Sequence, residues 1–457
     1  MRRSLLLLLV LLGWLGLAAS VPAADQLVWR AGGERVDADL EGWTLPQLLE
    51  QIADVAGWQV FVQPGAQLKE PVSVRFKNLS TGEALGRLLN GLSFSVLPHS
   101  PPKLFVFRTS VADATQRVEP RDSGKAKPIA DELVLLRKAG SKADADELAK
   151  KLGGKIIGNV KDVGAYRLKF ENADAANQAR AALNGNADFN VDFNYSLPRP
   201  AGADALTAAT ALPFTLKPDA SAPAGQLIVG LIDQPVQKNT PYRDLLLPGL
   251  AAAGDTAPPG DTSPTHGTAM FETVLRGLAN GAEKSPATSV RVLPVDVYGS
   301  EANASTFNVA RGIVEAVNSG ATIVNLSLGG AGDSTLLHSV ITQAAARGVL
   351  FVAAAGNQPT TALTFPAAYP EVLAVTAATA NGQLASYANR GEFVDVAAPG
   401  SSVIYFGGNA YLVSGTSAST AFVSGLAAAL KANTGASADA IIKQLKQTLA
   451  VPPSSGN

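Results

Sequence analysis

Three residues in the C-terminal half of this chain have the types and placement to share one chemistry. Asp233 closes the apolar run QLIVGLID, His266 opens HGTAMFETVL, and Ser417 lies in SGTSAST ahead of an alanine-rich stretch. A serine hydroxyl is a weak nucleophile near neutral pH. It needs an imidazole to take its proton, and the imidazole needs a carboxylate to fix its tautomer. Asp, His, Ser is one of the chain orders in which such triads occur, and no G-x-S-x-G elbow is present. Asn357, in AAAGN, offers a side-chain amide to a developing oxyanion, and the backbone N–H of Ser417 at a helix start offers a second donor.

Groups this far apart in sequence need a scaffold that gathers them. QLIVGLID, SVRVLPVDVY, TIVNLSLG, VLFVAAAGN, VLAVTAA and FVDVAAPG are near-continuous apolar runs, the pattern of strands buried on both faces. Helical stretches such as HGTAMFETVLRGLANG, TFNVARGIVEAVNSG and STLLHSVITQAAARG fall between them. The alternation predicts an α/β fold with a doubly wound parallel sheet, its working edge at the carboxyl ends of the strands. Asp233, His266, Asn357 and Ser417 all fall at such edges or at helix starts.

With those motifs in order, residues 226 to 450 resemble a peptidase domain of the subtilisin (subtilase, peptidase S8) family. The match assigns LIDQPV to the aspartate, HGT to the histidine, AAAGN to the oxyanion asparagine and GTS to the nucleophile. It implies that NLSLGG, through Leu326, Ser327, Leu328, Gly329 and Gly330, lies along one side of an extended substrate. Ala354, Ala355 and Gly356 would lie along the other. Two departures stand out. Gln234 and Pro235 follow the aspartate where the family has Ser or Thr and then Gly, and Pro235 has no N–H to lend. Ala418 and Ala421 replace the family's Met and Pro after the nucleophile.

Upstream, residues 131 to 197 read strand, helix, two strands, helix, strand: ELVLLRK, DADELAKKLGG, KIIGNVKDVGAYRLKFE, DAANQARAALNG and FNVDFNY. This order predicts a ferredoxin-like sandwich. The subtilase resemblance turns it into a prodomain that assists folding, inhibits, and leaves its tail in the cleft, with the maturation cut in FNYSLPRP or the linker behind it. Residues 25 to 108 alternate strands and amphipathic helices, including TLPQLLEQIADVAG and, from Ser80, TGEALGRLLNGL. They resemble the short N-terminal domain of secretins and TonB-dependent receptors, which implies an envelope protein partner. Residues 109 to 130 and 198 to 225, rich in polar or Pro and Ala residues, are expected linkers. The second is a stretch that an extracellular protease would cut.

Arg2 and Arg3 ahead of an apolar run from Leu5 to Ala19, then small residues, predict a signal peptide over residues 1 to 24. Ala23 is the preferred cleavage point, with Ala19 and Ala24 as alternatives. The run falls short of the roughly 20 apolar residues of a membrane-spanning helix, so an exported chain, periplasmic or secreted, with no membrane span is expected.

A net charge of −1 over 457 residues leaves no basic surplus for phosphates and argues against nucleic acid. The absence of cysteine excludes disulfides and thiol chemistry, and three histidines make a His-rich metal site a poor prospect. No metal or cofactor is expected; structural calcium near Asp255 and Asp261 has no supporting ligand spacing. His338, Asp296 and Asp395 are expected to be structural, and His99 lies outside the domain. The triad order and the subtilase resemblance together imply an endopeptidase made as a zymogen, acting on protein or peptide. The alternative is a catalytically impaired envelope scaffold that presents a peptide groove.

Overall fold

The computed structural model describes residues 26–30, 35–62, 70–90, 92–97, 101–107, 116–118, 126–200, 202–205, 214–219, 227–254, 262–282, 287–379 and 381–452, with the single residues 68, 221 and 260. The expected signal peptide, His99, Asp255 and Asp261 lie outside them. The chain divides into two compact units, one ending at Ala112 and one beginning at Asp113.

The first unit is α+β. Strands Gln26–Trp29, Arg35–Trp43 and Val72–Ser80 form an antiparallel sheet, and Gln59–Val62, Lys103–Phe107 and Ser93–Leu97 pair in a second. Helix Leu45–Ala56 buries Leu48, Leu49 and Ile52. Helix Thr81–Leu88 starts where the sequence places it, with Ser80 and Glu83 exchanging side-chain and backbone hydrogen bonds.

In the second unit seven parallel strands form the central sheet, in the order Leu250–Ala251, Val290–Asp296, Leu227–Asp233, Ala321–Leu326, Leu350–Ala354, Val372–Ala378, Val396–Pro399. Each residue of Leu227–Asp233 is buried because the sheet is covered on both faces. Val229 and Leu231 join one core with helices His266–Gly281 and Thr416–Thr434, while Ile228 and Ile232 join another with Thr306–Asn318 and Thr335–Ala345. The winding direction reverses between Leu227–Asp233 and Ala321–Leu326, which opens a crevice at their carboxyl ends.

The histidine and serine helices cross at backbone contact. A Cβ on Gly277 would fall 2.0 Å from the Phe422 carbonyl oxygen, and one on Gly425 2.0 Å from that of Val274. Only glycine at both positions permits this approach.

Strands Pro128–Arg137, Lys155–Val160, Ala165–Lys169 and Phe189–Pro198 form an antiparallel sheet with the fourth beside the first and the third between the first and second. Helices Ala145–Lys151 and Ala173–Ala182 cover one face around Leu133, Leu135, Leu168 and Phe170. The first strand begins at Pro128, within the expected linker. Asn303–Ser305 of the central domain extends this sheet by pairing with the end of Phe189–Pro198. The stretch after Pro198 is likewise not free throughout. Asp204–Ala205 and Lys217–Pro218 are paired strands, because Phe214 and Leu216 are apolar residues that find cover on the central domain.

Candidate active site

Asp233 is the last residue of its strand and His266 the first of its helix, and both are almost fully buried. His266 Nδ1 lies 2.8 and 2.9 Å from the two Asp233 carboxylate oxygens, leaving Nε2 as the nitrogen available to a neighbour. Thr265 caps the helix, its hydroxyl accepting from Thr268 N–H and donating to the Pro235 carbonyl. Gln237 ties the assembly together. Its side-chain oxygen accepts from Thr265 N–H and the Thr268 hydroxyl, and its amide nitrogen donates to the Gly260 and Ser263 carbonyls.

The departure at Gln234 and Pro235 does not leave Asp233 bare. Gln234 N–H donates to Asp233 Oδ1 at 2.7 Å, and Pro235 contributes its carbonyl instead of a donor.

Ser417 sits in the first turn of Thr416–Thr434, with 7% of its surface exposed. Its hydroxyl donates to the Ser327 carbonyl at 3.1 Å, so in this state its proton faces the strand segment rather than the imidazole. The Ser327 hydroxyl returns a bond to the Ser417 carbonyl, accepts from Asn325 Nδ2, and Asn325 Oδ1 accepts from Ser424. Ser424 is therefore a hydrogen-bond anchor as well as a small packing residue. Ser419 donates to the Ala398 and Pro399 carbonyls. Ala418 and Ala421 are buried in the helix face.

Asn357 is exposed at the end of its loop, but its side-chain oxygen is held by the Thr416 N–H at 2.8 Å and the Thr416 hydroxyl at 3.0 Å. Its Nδ2 lies over Gly415, where a Cβ would come within 3.0 Å of it and φ is +141°. Only glycine serves there. The AAAGN loop is fastened by Asn389, which donates to the Ala355 carbonyl and accepts from Gln358 N–H.

Of the expected substrate strip, Leu326 must be removed. Its backbone pairs on both sides, with Ile232 and Ala353, and its side chain is in the core. The buried Ser327 side chain supports Ser417, while Leu328, Gly329 and Gly330 continue beyond the sheet; Gly330 exchanges backbone bonds with Phe365. Ala354 pairs with Val375, and Ala355 N–H donates to the Val375 carbonyl.

Asp296 accepts from Tyr298 and Gly299 N–H, Asp395 from Ala374 N–H and Lys446, and His338 stacks on Tyr369 and meets Glu371. Among the described residues no group of three or more His, Cys, Asp or Glu is gathered to hold a metal ion, and no helix is long and apolar enough to cross a membrane.

The Phe189–Pro198 strand rests beside this site. Asp192 accepts from the Ser334 hydroxyl and Leu336 N–H at the start of Thr335–Ala345, and Asn194 accepts from Phe307 N–H and the Thr306 hydroxyl at the start of Thr306–Asn318. Asn194 also donates to Glu132, which is paired with Arg167. Burial pushes the Asp192 carboxyl above its ordinary pKa, against the pull of the donors around it.

Known proteins match two stretches of the second unit. The subtilase family model matches residues 225–453, and the fervidolysin N-terminal prodomain model matches residues 114–193. The chain is 34% identical over 192 residues to the thermostable alkaline protease of Halalkalibacterium halodurans, covering 42% of this chain and 53% of that one. It thus spans about half the length of that relative. It is 34% identical over 232 residues to thermitase of Thermoactinomyces vulgaris, covering 48% of this chain and 80% of thermitase. The crystal structure of fervidolysin from Fervidobacterium pennivorans, described as a keratinolytic enzyme related to subtilisin, shares the fold at a TM-score of 0.55 and 20% identity, over 72% of this chain and 57% of that one. The chain belongs to the subtilase family, with a fervidolysin-type prodomain ahead of its subtilisin-like α/β domain.

Proposed function

We propose that this chain is a serine endopeptidase made as a zymogen, with Ser417 as nucleophile, His266 as general base and then acid, and Asp233 holding the imidazole. The observation that carries the reading is the buried Asp233–His266 pair at the same sheet edge as Ser417 and an Asn357 amide anchored through its oxygen. The Ser417 hydroxyl turns from the Ser327 carbonyl toward His266 Nε2, attacks the peptide carbonyl, and the oxyanion takes hydrogen bonds from Asn357 Nδ2 and Ser417 N–H. The leaving amine departs with the proton from His266, and water hydrolyses the acyl-enzyme.

Substrate lies extended against Leu328, Gly329 and Gly330 on one side and Ala355 and Gly356 on the other. The β-α-β-β-α-β prodomain, ferredoxin-like in order, supplies a first occupant of that groove. Export follows from the signal-peptide pattern, and residues 25 to 108 act as a module that recruits an envelope partner.

Fluorophosphonate labelling with casein hydrolysis tests the central claim. Labelling of wild type and none of Ser417→Ala is expected; a matured, folded wild type that neither labels nor cleaves ends the reading. The scaffold alternative draws on the Ser417 hydroxyl facing Ser327, and predicts that result.

A further inference from the structure

Both walls of the proposed substrate groove meet at one side chain that the sequence did not mark. A Cβ on Gly329 would fall 2.8 Å from the Thr364 Cγ2 methyl and 3.8 Å from the Ala354 carbonyl oxygen, and a Cβ on Gly356 would fall 3.4 Å from Thr364 Oγ1. Thr364 therefore stands across the gap between the two strips. Gly329, Gly356 and Thr364 are each partly exposed, so solvent reaches the gap that the three of them border.

Thr364 is fixed in that position. The next residue, Phe365, exchanges backbone hydrogen bonds with Gly330 at 2.7 and 3.0 Å, and the Thr364 carbonyl accepts from Ala368 N–H. The Thr364 hydroxyl oxygen accepts from Asn389 Nδ2 at 3.2 Å, and the same buried amide donates to the Ala355 carbonyl at 2.8 Å. One wall is thus bonded to the residue after Thr364, and the other is joined to its side chain through Asn389. The gap cannot widen without breaking these bonds.

The gap also lies where a substrate side chain has to go. Gly329 is two residues beyond Ser327, whose carbonyl receives the Ser417 hydroxyl, and Gly356 directly precedes Asn357. A peptide carbonyl held between Ser417 Oγ and Asn357 Nδ2 carries its own side chain on the adjoining Cα, within reach of the opening between those glycines.

Resting on the proposed peptidase activity, we propose that Thr364 is a specificity-determining residue: its side chain is the floor of the pocket for the residue that supplies the scissile carbonyl, and it restricts that residue to small side chains such as Ala and Ser. A long or aromatic side chain meets the Thr364 methyl before its carbonyl reaches Ser417, and walls tied by hydrogen bonds do not give way freely to extra volume. The step from Ala to Phe adds far more than the single methylene for which such pockets discriminate about 10- to 200-fold.

The test is kcat/KM on peptide anilides that differ only at that residue, with Ala, Ser, Leu or Phe, using protein purified from full-chain expression as wild type, Thr364→Gly, Thr364→Ser and Thr364→Val. Rates are normalised to the fraction labelled by a fluorophosphonate, and each variant is melted. Wild type is expected to cleave the Ala substrate about tenfold or more better than the Phe substrate, and Thr364→Gly to raise the Phe-to-Ala ratio by about tenfold or more. Thr364→Val keeps the volume and should hold the ratio within about threefold of wild type. Thr364→Ser, which loses only the methyl facing Gly329, should move the ratio in the same direction as Thr364→Gly and carries the test if that variant does not fold. A labelled wild type that prefers Phe or Leu to Ala overturns the inference and leaves the peptidase reading standing, as does an unchanged ratio in the folded, labelled Thr364→Gly and Thr364→Ser. Wild type that neither labels nor cleaves any of the set overturns the peptidase reading, and the inference with it.

Discussion

In the proposed mechanism the Asn357 amide nitrogen serves the oxyanion, because Thr416 occupies its oxygen. Asn357→Ala is therefore expected to lower kcat about 10²- to 10³-fold with KM little changed, the range known for removing one oxyanion donor from a serine peptidase. Steady-state kinetics on a peptide anilide checks this, and a rise in KM alone would place Asn357 in ground-state binding. Asn325 acts one step further back. Asn325→Ala leaves the buried Ser424 hydroxyl without its acceptor and Ser327 without a donor, a cost of about 1 to 3 kcal/mol in urea unfolding. An asparagine inside the apolar run TIVNLSLG was a readable signal, since a buried amide must find partners. Gln237, in a loop of ordinary composition, gave no comparable sign.

At the scale of elements, helix starts decide how the pieces meet. Asp192 and Asn194 supply acceptors to the two helices under the prodomain strand. Asp192→Ala should cost about 0.5 to 2 kcal/mol, seen as a lower melting temperature of the uncut Ser417→Ala chain. Glu272 sits on the buried face of the histidine helix, between the Thr240 hydroxyl and Tyr405 N–H. Burial pushes its carboxyl up to about 7, while the Tyr405 N–H, the Thr240 hydroxyl and Arg276 pull the other way. The folded state thus holds a proton that the unfolded chain has already lost. Stability from this group is complete below the unfolded value near 4.5 and is lost as pH rises through about 7. Glu272→Gln should flatten the fall in unfolding free energy across that window, by up to about 3 kcal/mol. An unchanged pH profile would show that the carboxylate stays ionised.

For the whole molecule, the second unit contains Asp233, His266, Asn357 and Ser417 together with the fervidolysin-type prodomain, so the proposed catalytic groups and the segment proposed to occupy their groove share one body. A chain lacking residues 26 to 112 is expected to hydrolyse small peptides with kcat/KM within about threefold of wild type, since active-site binding energy comes from the unit that holds the reacting groups. Loss of that activity would tie the first unit to the chemistry rather than to recruitment.

Much of this was legible before the fold. Buried parallel strands announce themselves as apolar runs, a helix start shows in Ser80 and Glu83 or in HGT, and the resemblance of HGT and GTS to the subtilase motifs marks His266 and Ser417 as the proposed base and nucleophile. These signals are local or chemical, so the sequence carries them. The tertiary structure decided the rest, because it depends on which distant backbones touch. Leu326 pairs on both flanks and leaves the substrate strip, Ser424 becomes an anchor through Asn325, and Gln234 N–H covers for the proline beside it. It also took what reads as a Pro- and Ala-rich linker and fixed parts of it on the central domain, Asp204–Ala205 beside Tyr411 and Leu412 and Phe214 on Tyr242, since Phe214 and Leu216 gain cover only there.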